Sequence, residues 1–357
     1  MINALGLDIG GANTKACLIR IKQSKVKDIR ITSEYFPVWK APTKLLHLLS
    51  TLRKKATSEV KLDCIGLTIT AELSDAYQTK RDGVNHILTC VAEAFADARI
   101  FVLDVEASLK PIDFAKEEPL SVAAANWAAT GWLVSQLIKT CIIVDTGSTS
   151  TSIIPIVNGQ IAAAGKTDLE KLINGELVYT GSLRTNIAAI VNFIPLRGSK
   201  ARVSSELFAQ SGDVHLILGN ITEKEYTTET ADGRGKTRLE AMARLARVVC
   251  ADIEMLTEQE IIQMARYIYS KQVEQIAEGL SEVYSRVKTL TTNEIPVVVT
   301  GIGKEFLARA AAEKIGAARI IDIGELLPPE VAVASPAVGV ALMAASKLEG
   351  RVIKWTR

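Results

Sequence analysis

The sequence predicts an α/β protein made of two halves of similar design. Short apolar strand patterns alternate with helical patterns along most of the 357 residues. An apolar strand that ends in Asp-x-Gly and leads into a strand–turn–strand pattern occurs twice, at Asp8 and at Asp145. A third apolar strand ends in a Gly-x-Gly turn at Gly301 and Gly303, and a helical pattern follows it. We interpret the two Asp-x-Gly copies as an internal duplication on the scale of a domain.

The first half begins with three strands and continues with alternating helices and strands. Strand patterns cover 4–9, 14–21 and 28–36, joined by a Gly-rich turn and then by the polar stretch 22–27. Leucines at helical spacing after Pro42 predict a helix. A strand over 64–69, a helix over 84–98 and a strand over 100–103 follow. This order predicts antiparallel strands that lead into a crossover unit.

The second half repeats the opening and then departs from it. After a strand over 140–144, a hairpin with strands over 151–157 and 160–165 turns at Asn158 and Gly159, a strong hairpin signal. From about 168 to 238 the pattern is irregular and polar, which indicates a loop-rich insertion that carries specificity. Later patterns predict helices over 238–255, 258–287, 306–315 and 334–348 and strands over 295–299 and 320–321. We assign 1–135, completed by a C-terminal helix at 335–357, to a first domain and 139–334 to a second.

Composition excludes several classes of protein. The 42 Lys and Arg residues nearly balance 40 Asp and Glu residues, which argues against a broad basic surface for nucleic acid. The five cysteines show no C-x-x-C spacing, so a disulfide framework or zinc ribbon is not expected, and four of them lie in apolar runs that predict burial. The most apolar stretch, 120–144, is interrupted by polar residues and predicts a buried helix and strand. With no leader-like N-terminus, we expect a cytoplasmic protein.

The three strand-ending turns carry the predicted chemistry. Glycine lets backbone N–H groups approach an anion, and Ser and Thr hydroxyls add donors. An Asp at a strand end can hold a divalent cation through water. Each of these turns alone could be an ordinary hairpin turn. The prediction of a phosphate site therefore depends on the presence of all three turns in one chain. The residues concerned are Asp8, Gly10, Gly11, Asn13, Thr14 and Lys15; Asp145, Gly147, Ser148 and Thr149; and Gly301 and Gly303.

This set of turns resembles that of the actin, sugar kinase and Hsp70-type ATPase superfamily. Residues 8–15 and 145–151 match its two phosphate motifs and 299–304 its adenosine motif, while 335–345 and the segment near Asn126 resemble its connecting helices. The resemblance spans nearly the whole chain. It implies two ribonuclease-H-like domains with mixed five-stranded sheets and a ligand cleft between them.

Further runs resemble the hydantoinase/oxoprolinase branch, and within it the subfamily named for tetrahydromethanopterin-linked one-carbon transfer. They are 6–15, 67–80, 177–185, 230–237 and 244–252. Archaeal members act in methanofuran biosynthesis. The resemblance implies that an aminomethylfuran-methyl diphosphate condenses with the phenol of γ-glutamyltyramine, which forms an ether and releases pyrophosphate. Two alternatives stay open: an ATP-dependent small-molecule kinase or amide hydrolase subunit, and a non-catalytic ATP-binding regulator.

The implied chemistry gives roles to particular side chains. The Gly, Asn, Ser and Thr residues of the three turns bind substrate phosphate, and Lys15 pairs with the phosphate charge. Asp8 and Asp145 hold Mg²⁺ through water. Asp145 is one candidate base, and Glu72, which follows the strand over 64–69, is the other. An ordinary capping role is the alternative for these acids. We expect no requirement for ATP.

Cations and aromatic residues beyond the turns are weaker candidates. Lys80, expected in an exposed loop, can bind a carboxylate or phosphate, and Arg184 and Arg234 can grip the γ-glutamyl carboxylates, with surface ion pairs as the alternative. Tyr77 and Tyr179 can stack on the furan or phenol, or simply pack. The three histidines, His47, His86 and His215, are too scattered for a zinc site, and His215 is expected to be packed or hydrogen-bonded. We expect small-molecule substrates, no nucleic acid or membrane partner, and a homodimer as the candidate assembly.

Overall fold

The computed structural model describes residues 1–58 and 60–355. The chain groups into two compact units. Unit 1 holds Met1–Thr140, Ile156–Glu170 and the chain from Gly324 onward, and unit 2 holds Cys141–Pro155 and Lys171–Ile323. Residues 156–170 thus belong to unit 1, whereas the sequence assigned all of 139–334 to the second half.

The strands are, in chain order, β1 Ile2–Gly10, β2 Asn13–Lys22, β3 Lys25–Tyr35, β4 Cys64–Thr70, β5 Arg99–Leu103, β6 Leu109–Pro111, β7 Cys141–Thr146, β8 Thr151–Val157, β9 Gln160–Ile161, β10 Leu177–Val178, β11 Phe193–Leu196, β12 Ser199–Arg202, β13 Val297–Thr300 and β14 Ile320–Asp322.

The α-helices are α1 Leu45–Thr57, α2 Lys80–Ala94, α3 Ile112–Glu117, α4 Asn126–Ser135, α5 Asp168–Ile173, α6 Ser211–Ile217, α7 Arg238–Arg247, α8 Glu258–Leu290, α9 Arg309–Lys314, α10 Ile323–Leu326, α11 Pro329–Val333 and α12 Ser335–Glu349. Short 3₁₀ turns occur at Pro42–Lys44, Pro119–Val122 and Ile187–Ala189, and a π-helical turn at Lys304–Ala308 precedes α9.

Unit 1 is built on a mixed sheet with the strand order β3-β2-β1-β4-β5-β6. Strands β1, β2 and β3 are antiparallel neighbours, β4 and β5 run parallel to β1, and β6 is antiparallel to β5. Because side chains alternate along a strand, Leu5, Leu7 and Ile9 of β1 share one face, which packs in a core with α1 and α2. The opposite face of β1, which carries Gly6 and Asp8, packs against α12.

Unit 2 is built on a second mixed sheet, ordered β10-β8-β7-β13-β14. Strands β13 and β14 run parallel to β7, whereas β10 is antiparallel to β8. Strand β9 pairs antiparallel with the last two residues of β8, and both of these segments group with unit 1. Five strands were predicted for each sheet. The second sheet has these five in its main strand order, whereas the first sheet has six because β6 is added. The predicted strand over 160–165 is formed only at β9, Gln160–Ile161.

The segment predicted as a loop-rich insertion is more ordered than expected. It contains short helices and the β11–β12 hairpin, and its apolar residues share a core with α7 and α8. The helix predicted over 238–255 ends at Arg247, and Thr257 opens the next helix by accepting a hydrogen bond from Glu260 N. Similarly, α2 begins at Lys80, before the predicted start, because Thr79 caps it.

Other expectations about burial are confirmed. Cys17, Cys64, Cys90 and Cys141 are buried and Cys250 is exposed. The apolar stretch 120–144 forms α4 and β7, as predicted. Among the described residues, no helix has both the length and the apolar character needed to span a bilayer.

Candidate functional site

In unit 1 the first Asp-x-Gly turn joins β1 to β2. Lys15 and Thr68 are the register partners of Asp8 on β2 and β4, so the three side chains leave the sheet on the face that packs against α12. The ammonium group of Lys15 donates to the carbonyl of Val333, two residues before α12, at 2.7 Å. The buried hydroxyl of Thr14 has no hydrogen-bond partner within the described part of the chain. The Asp8 carboxylate, the Lys15 ammonium group and the Thr68 hydroxyl therefore share one face of the sheet, whereas Thr14, the register partner of Ile9, lies on the other face.

Glu72 lies just beyond the end of β4 and only 1% of it is exposed. Its Oε1 atom is 3.6 Å from the ammonium nitrogen of Lys80, and Oε2 has no hydrogen-bond partner among the residues described. Burial raises the pKa of the Glu72 carboxyl to about 7, against the opposing effects of a backbone hydrogen bond and the charge of Lys80. A carboxyl with this pKa can take up or release a proton near neutrality.

Lys80 is the first residue of α2 and is not the exposed loop cation that was expected. Its ammonium nitrogen lies 2.7 Å from Asp168 Oδ2 and is also the neighbour of Glu72. Burial, the largest single effect, lowers the pKa of Lys80, but the hydrogen bonds and charges of Asp168 and Glu72 together outweigh it and raise the pKa overall. Lys80 therefore stays charged and links two carboxylates. No role was predicted for Asp168, because nothing near it in the chain signals a partner.

In unit 2 the second Asp-x-Gly turn lies between β7 and β8 and is held from one side by residues 180–184, which we call the strap. The backbone N–H of Ser182 donates to the carbonyl of Gly147 at 2.9 Å, and those of Leu183 and Arg184 donate to the carbonyl of Ser148 at 3.0 Å. In a planar trans peptide the N–H points opposite to the C=O. The N–H groups of Ser148 and Thr149 therefore point away from the strap, as an anion site requires.

The third turn folds onto the second. Thr300 is the register partner of Asp145, and the N–H of Gly303 donates to the carbonyl of Thr146 at 3.0 Å. Gly301 has a φ of +88°, and a Cβ there would lie 2.6 Å from Asp145 Oδ1 and 2.3 Å from the Thr146 carbonyl oxygen. Only glycine fits this position without displacing Asp145. The structure thus brings the predicted residues of the second and third turns together within unit 2.

The two candidate arginines have different surroundings. Arg184 belongs to the strap and is half-buried, with a guanidinium nitrogen 3.4 Å from Thr149 Oγ1 of the second turn. Arg234 is exposed, and its backbone N–H donates to Asp232 in a separate turn. The structure thus places Arg184 next to the second turn and Arg234 in a turn of its own, and the predicted grip of either arginine on the γ-glutamyl carboxylates stays a prediction.

The aromatic and histidine candidates lie mostly away from the turns. The hydroxyl of Tyr77 is 2.7 Å from His86 Nδ1, and its ring packs against the unit 1 core, which fits the packing alternative. Tyr179 is 59% exposed. His215 is fully buried and hydrogen-bonded, as predicted.

Magnesium suits the donor groups at these turns. The ion keeps several waters and takes one or two carboxylates together with phosphate oxygens. Asp8 and Asp145 supply one carboxylate at each turn. Over 1–58 and 60–355, no group of three or more His, Cys, Asp or Glu side chains is arranged to hold a metal. The residues therefore fit a water- and phosphate-supported Mg²⁺ and not an all-protein cage.

The family is decided by a match over most of the chain. Residues 63–350 match the family model described as Hydantoinase/oxoprolinase. The chain belongs to the hydantoinase/oxoprolinase family. Within this family it is 40% identical over 349 residues to a protein of Methanocaldococcus jannaschii, which covers 98% of this chain and 99% of that protein. The relative is named (4-{4-[2-(gamma-L-glutamylamino)ethyl]phenoxymethyl}furan-2-yl)methanamine synthase.

A second relative carries the same name as the first, and a solved structure shares the fold. A protein of the same name from Methanococcus vannielii is 38% identical over 222 residues, which cover 61% of this chain and 97% of the relative. The nucleotide-free structure of an acetone carboxylase aligns with a TM-score of 0.56 at 9% identity, over 96% of this chain and 70% of that one. The predicted actin-like ATPase fold, α/β with two mixed sheets, is confirmed.

Proposed function

We propose that this protein is a synthase of methanofuran biosynthesis that joins an aminomethylfuran-methyl diphosphate to the phenol of γ-glutamyltyramine. The observation that carries the proposal is the 40% identity to a synthase of the corresponding product over nearly the full length of both chains. The phosphate-type turns in both units and the buried carboxyl of Glu72 are consistent with the chemistry that this reaction needs.

The reaction replaces one carbon–oxygen bond by another. The phenol oxygen attacks the methylene carbon of the furan, the bond from that carbon to the diphosphate oxygen breaks, and pyrophosphate leaves with the electron pair. The phenol proton must pass to a base. Because the furan ring delocalises positive charge at its methylene, stabilising the leaving diphosphate lowers the barrier most directly.

The turns are suited to hold the diphosphate. In unit 2 the N–H groups of Ser148 and Thr149 point away from the strap, and Arg184 lies beside Thr149. In unit 1, Lys15 adds a positive charge next to Asp8. At its own turn, each of Asp8 and Asp145 would hold Mg²⁺, which when bound neutralises charge on phosphate oxygens. We assign the leaving diphosphate to the second turn, in unit 2, and the first turn, in unit 1, is a separate candidate.

Glu72 is the better candidate for the base. Its pKa is raised to about 7 by burial, so at neutral pH it is both present as carboxylate and able to hold a proton. The Oε2 atom makes no hydrogen bond to the described residues, and because it is buried the phenol must displace the groups that cover it to reach its lone pair. Asp145 is held close to the third turn at Gly301, a position more suited to a cation than to a phenol.

Purified protein supplied with the furan diphosphate and γ-glutamyltyramine tests the proposal. We expect pyrophosphate and the ether to form in equal amounts in the absence of ATP. Mass spectrometry measures both products. A matched substrate that lacks the phenol hydroxyl should release no pyrophosphate. A requirement for ATP, or equal pyrophosphate release with the matched substrate, would overturn the proposal.

An ATP-using enzyme of the same fold is the second candidate. One observation favours it: the Gly301–Gly303 turn, which resembles an adenosine motif, folds directly onto the second phosphate-type turn. Calorimetry with ADP and with pyrophosphate separates the two candidates. The synthase should bind pyrophosphate at least as tightly as ADP, because an adenosine group adds no affinity. The ATP-using enzyme should bind ADP more tightly than pyrophosphate.

A further inference from the structure

A buried chain of side-chain hydrogen bonds connects α8 to the strap in unit 2. The amide nitrogen of Gln272 donates to Thr180 Oγ1 at 2.9 Å and to the carbonyl of Gly181 at 2.8 Å. Its Oε1 lies 3.0 Å from His215 Nε2, and His215 Nδ1 lies 3.1 Å from the side-chain nitrogen of Asn220. Gln272 and His215 are both fully buried. No role in the reaction described above uses these side chains.

The pattern of donors and acceptors fixes the direction of this chain. Gln272 Nε2 faces a backbone carbonyl, so it must be the donor end of the amide, and Oε1 must accept. His215 therefore carries its proton on Nε2 and accepts from Asn220 through Nδ1. Burial lowers the pKa of His215 to about 3, so the ring stays in this neutral form at physiological pH. Gln272 is thus held in one orientation.

The strap that Gln272 grips lies directly against the second turn. A Cβ on Gly181 would come within 2.7 Å of the backbone nitrogens of Thr149 and Ser150. The next residue, Ser182, donates to the carbonyl of Gly147. A displacement of the strap would therefore rotate the peptides whose N–H groups are aimed at the ligand.

The same cluster also contacts the third turn. The ring of Phe306, three residues after Gly303, lies 4.5 Å from the His215 ring, centroid to centroid. Tyr269 of α8 donates its hydroxyl hydrogen to the Phe306 carbonyl at 2.8 Å. The cluster thus contacts the strap beside the second turn and the π-helical turn that follows the third turn.

We propose that Gln272, oriented by His215, is a positioning residue that sets the affinity of the second turn for the phosphate groups of its ligand. The identity of that ligand as a diphosphate rests on the proposed function. The hydrogen bonds of Gln272 do not reach the ligand; they hold the strap, and the strap holds the peptides that do.

Three substitutions at two positions isolate this role in the full chain. Gln272→Glu keeps an acceptor for His215 and leaves at most one donor to the strap, the proton of the buried acid. Gln272→Met keeps a similar volume and removes the acceptor and both donors. Thr180→Val removes one acceptor and leaves Gln272 in place. Gln275→Ala is the matched control, because this amide lies on the same helix and donates to the carbonyls of Ala189 and Ile190 at 3.2 and 3.4 Å, outside the strap.

Calorimetry with inorganic pyrophosphate and Mg²⁺ gives the main readout, and melting temperatures identify folded variants. We expect the Kd to rise about tenfold in both Gln272 variants, about threefold in Thr180→Val, and not in Gln275→Ala. In turnover, KM for the diphosphate should rise while KM for the phenol stays unchanged. An unchanged Kd in a folded Gln272 or Thr180 variant would overturn the proposal.

Measurements with ADP separate this inference from the proposed function. Wild-type protein that binds ADP and not pyrophosphate contradicts the synthase, and the same comparison of Kd values with ADP then decides the role of Gln272. Wild-type protein that binds neither ligand overturns the positioning role, because the second turn then has no phosphate to bind.

Discussion

The ammonium nitrogen of Lys80 lies 3.6 Å from Oε1 of Glu72, a carboxyl that is almost completely buried. Asp168 holds the same ammonium group at 2.7 Å from the other side. Lys80 is therefore shared between two carboxylates, and only one of them, Glu72, is taken out of water. This arrangement leaves Glu72 with a pKa of about 7 and makes its charge state sensitive to both neighbours.

Replacement of Glu72 by glutamine should lower kcat by about 10²- to 10⁴-fold, because the amide cannot accept the phenol proton. The affinity for pyrophosphate should stay at the wild-type value, since Glu72 does not belong to the phosphate-binding turns. Steady-state kinetics and calorimetry on the same protein sample check both statements. A loss of turnover below tenfold would contradict the role of Glu72 as base.

The same substitution should stabilise the protein at neutral and alkaline pH. Glu72 has a higher pKa folded than unfolded, so the folded state retains the proton longer and the wild type loses stability as pH rises from about 4.5 to about 7. Glutamine does not titrate. The advantage of Glu72→Gln in free energy of unfolding should therefore be absent below pH 4 and approach about 3 kcal/mol above pH 7. Urea unfolding at a series of pH values measures it.

Lys80 and Asp168 should move the pH dependence of turnover in opposite directions. The charge of Lys80 lowers the pKa of Glu72 and that of Asp168 raises it. The rise of kcat/KM with pH, centred at about 7 in the wild type, should shift to higher pH in Lys80→Met and to lower pH in Asp168→Asn. Shifts in the same direction would show that these residues act by packing and not by charge.

Substitution of Gly301 by alanine should disrupt unit 2 at Asp145. The new Cβ would collide with the Thr146 carbonyl, and the backbone would be strained at a φ of +88°. Gly316→Ala is the control, because its φ is +71° but the space around it is open. We expect Gly301→Ala to lose about 2 kcal/mol more stability than the control. Equal melting temperatures would contradict the close contact with Asp145.

The sequence predicted the parts of the site that depend on local pattern. Apolar runs that end at Asp8 and Asp145 indicate strands and turns without any knowledge of distant contacts. Similarly, Glu72 is a candidate from the sequence because it comes two residues after the end of an apolar strand. These signals come from residues a few positions apart, so one chain is enough to show them.

The contacts that tune the site join residues far apart in the chain and leave no local signal. Asp168 meets Lys80 across 88 positions, and Gln272 meets Thr180 across 92. In the sequence, Gln272 is one of many polar residues in a long predicted helix, and nothing near it in the chain distinguishes it from Gln275. The early end of α7 at Arg247 was missed for a related reason, since apolar residues continue at helical spacing beyond it.

A buried ion pair in unit 2 gives the last prediction. Arg244 and Asp213 are both fully buried, with 2.8 Å between Arg244 Nε and Asp213 Oδ1. Arg244→Leu removes the positive charge and leaves the carboxyl buried, so it should cost about 3–5 kcal/mol of unfolding free energy. Arg247→Leu is the matched control, because Arg247 is partly exposed and its ion pair with Asp232 should contribute less than about 1 kcal/mol. Adding Asp213→Asn to Arg244→Leu should recover part of the loss, since the uncompensated charge is then removed. Urea unfolding of the full chain measures the loss of unfolding free energy in each variant. Equal losses for Arg244→Leu and Arg247→Leu would show that burial does not determine the contribution of the ion pair.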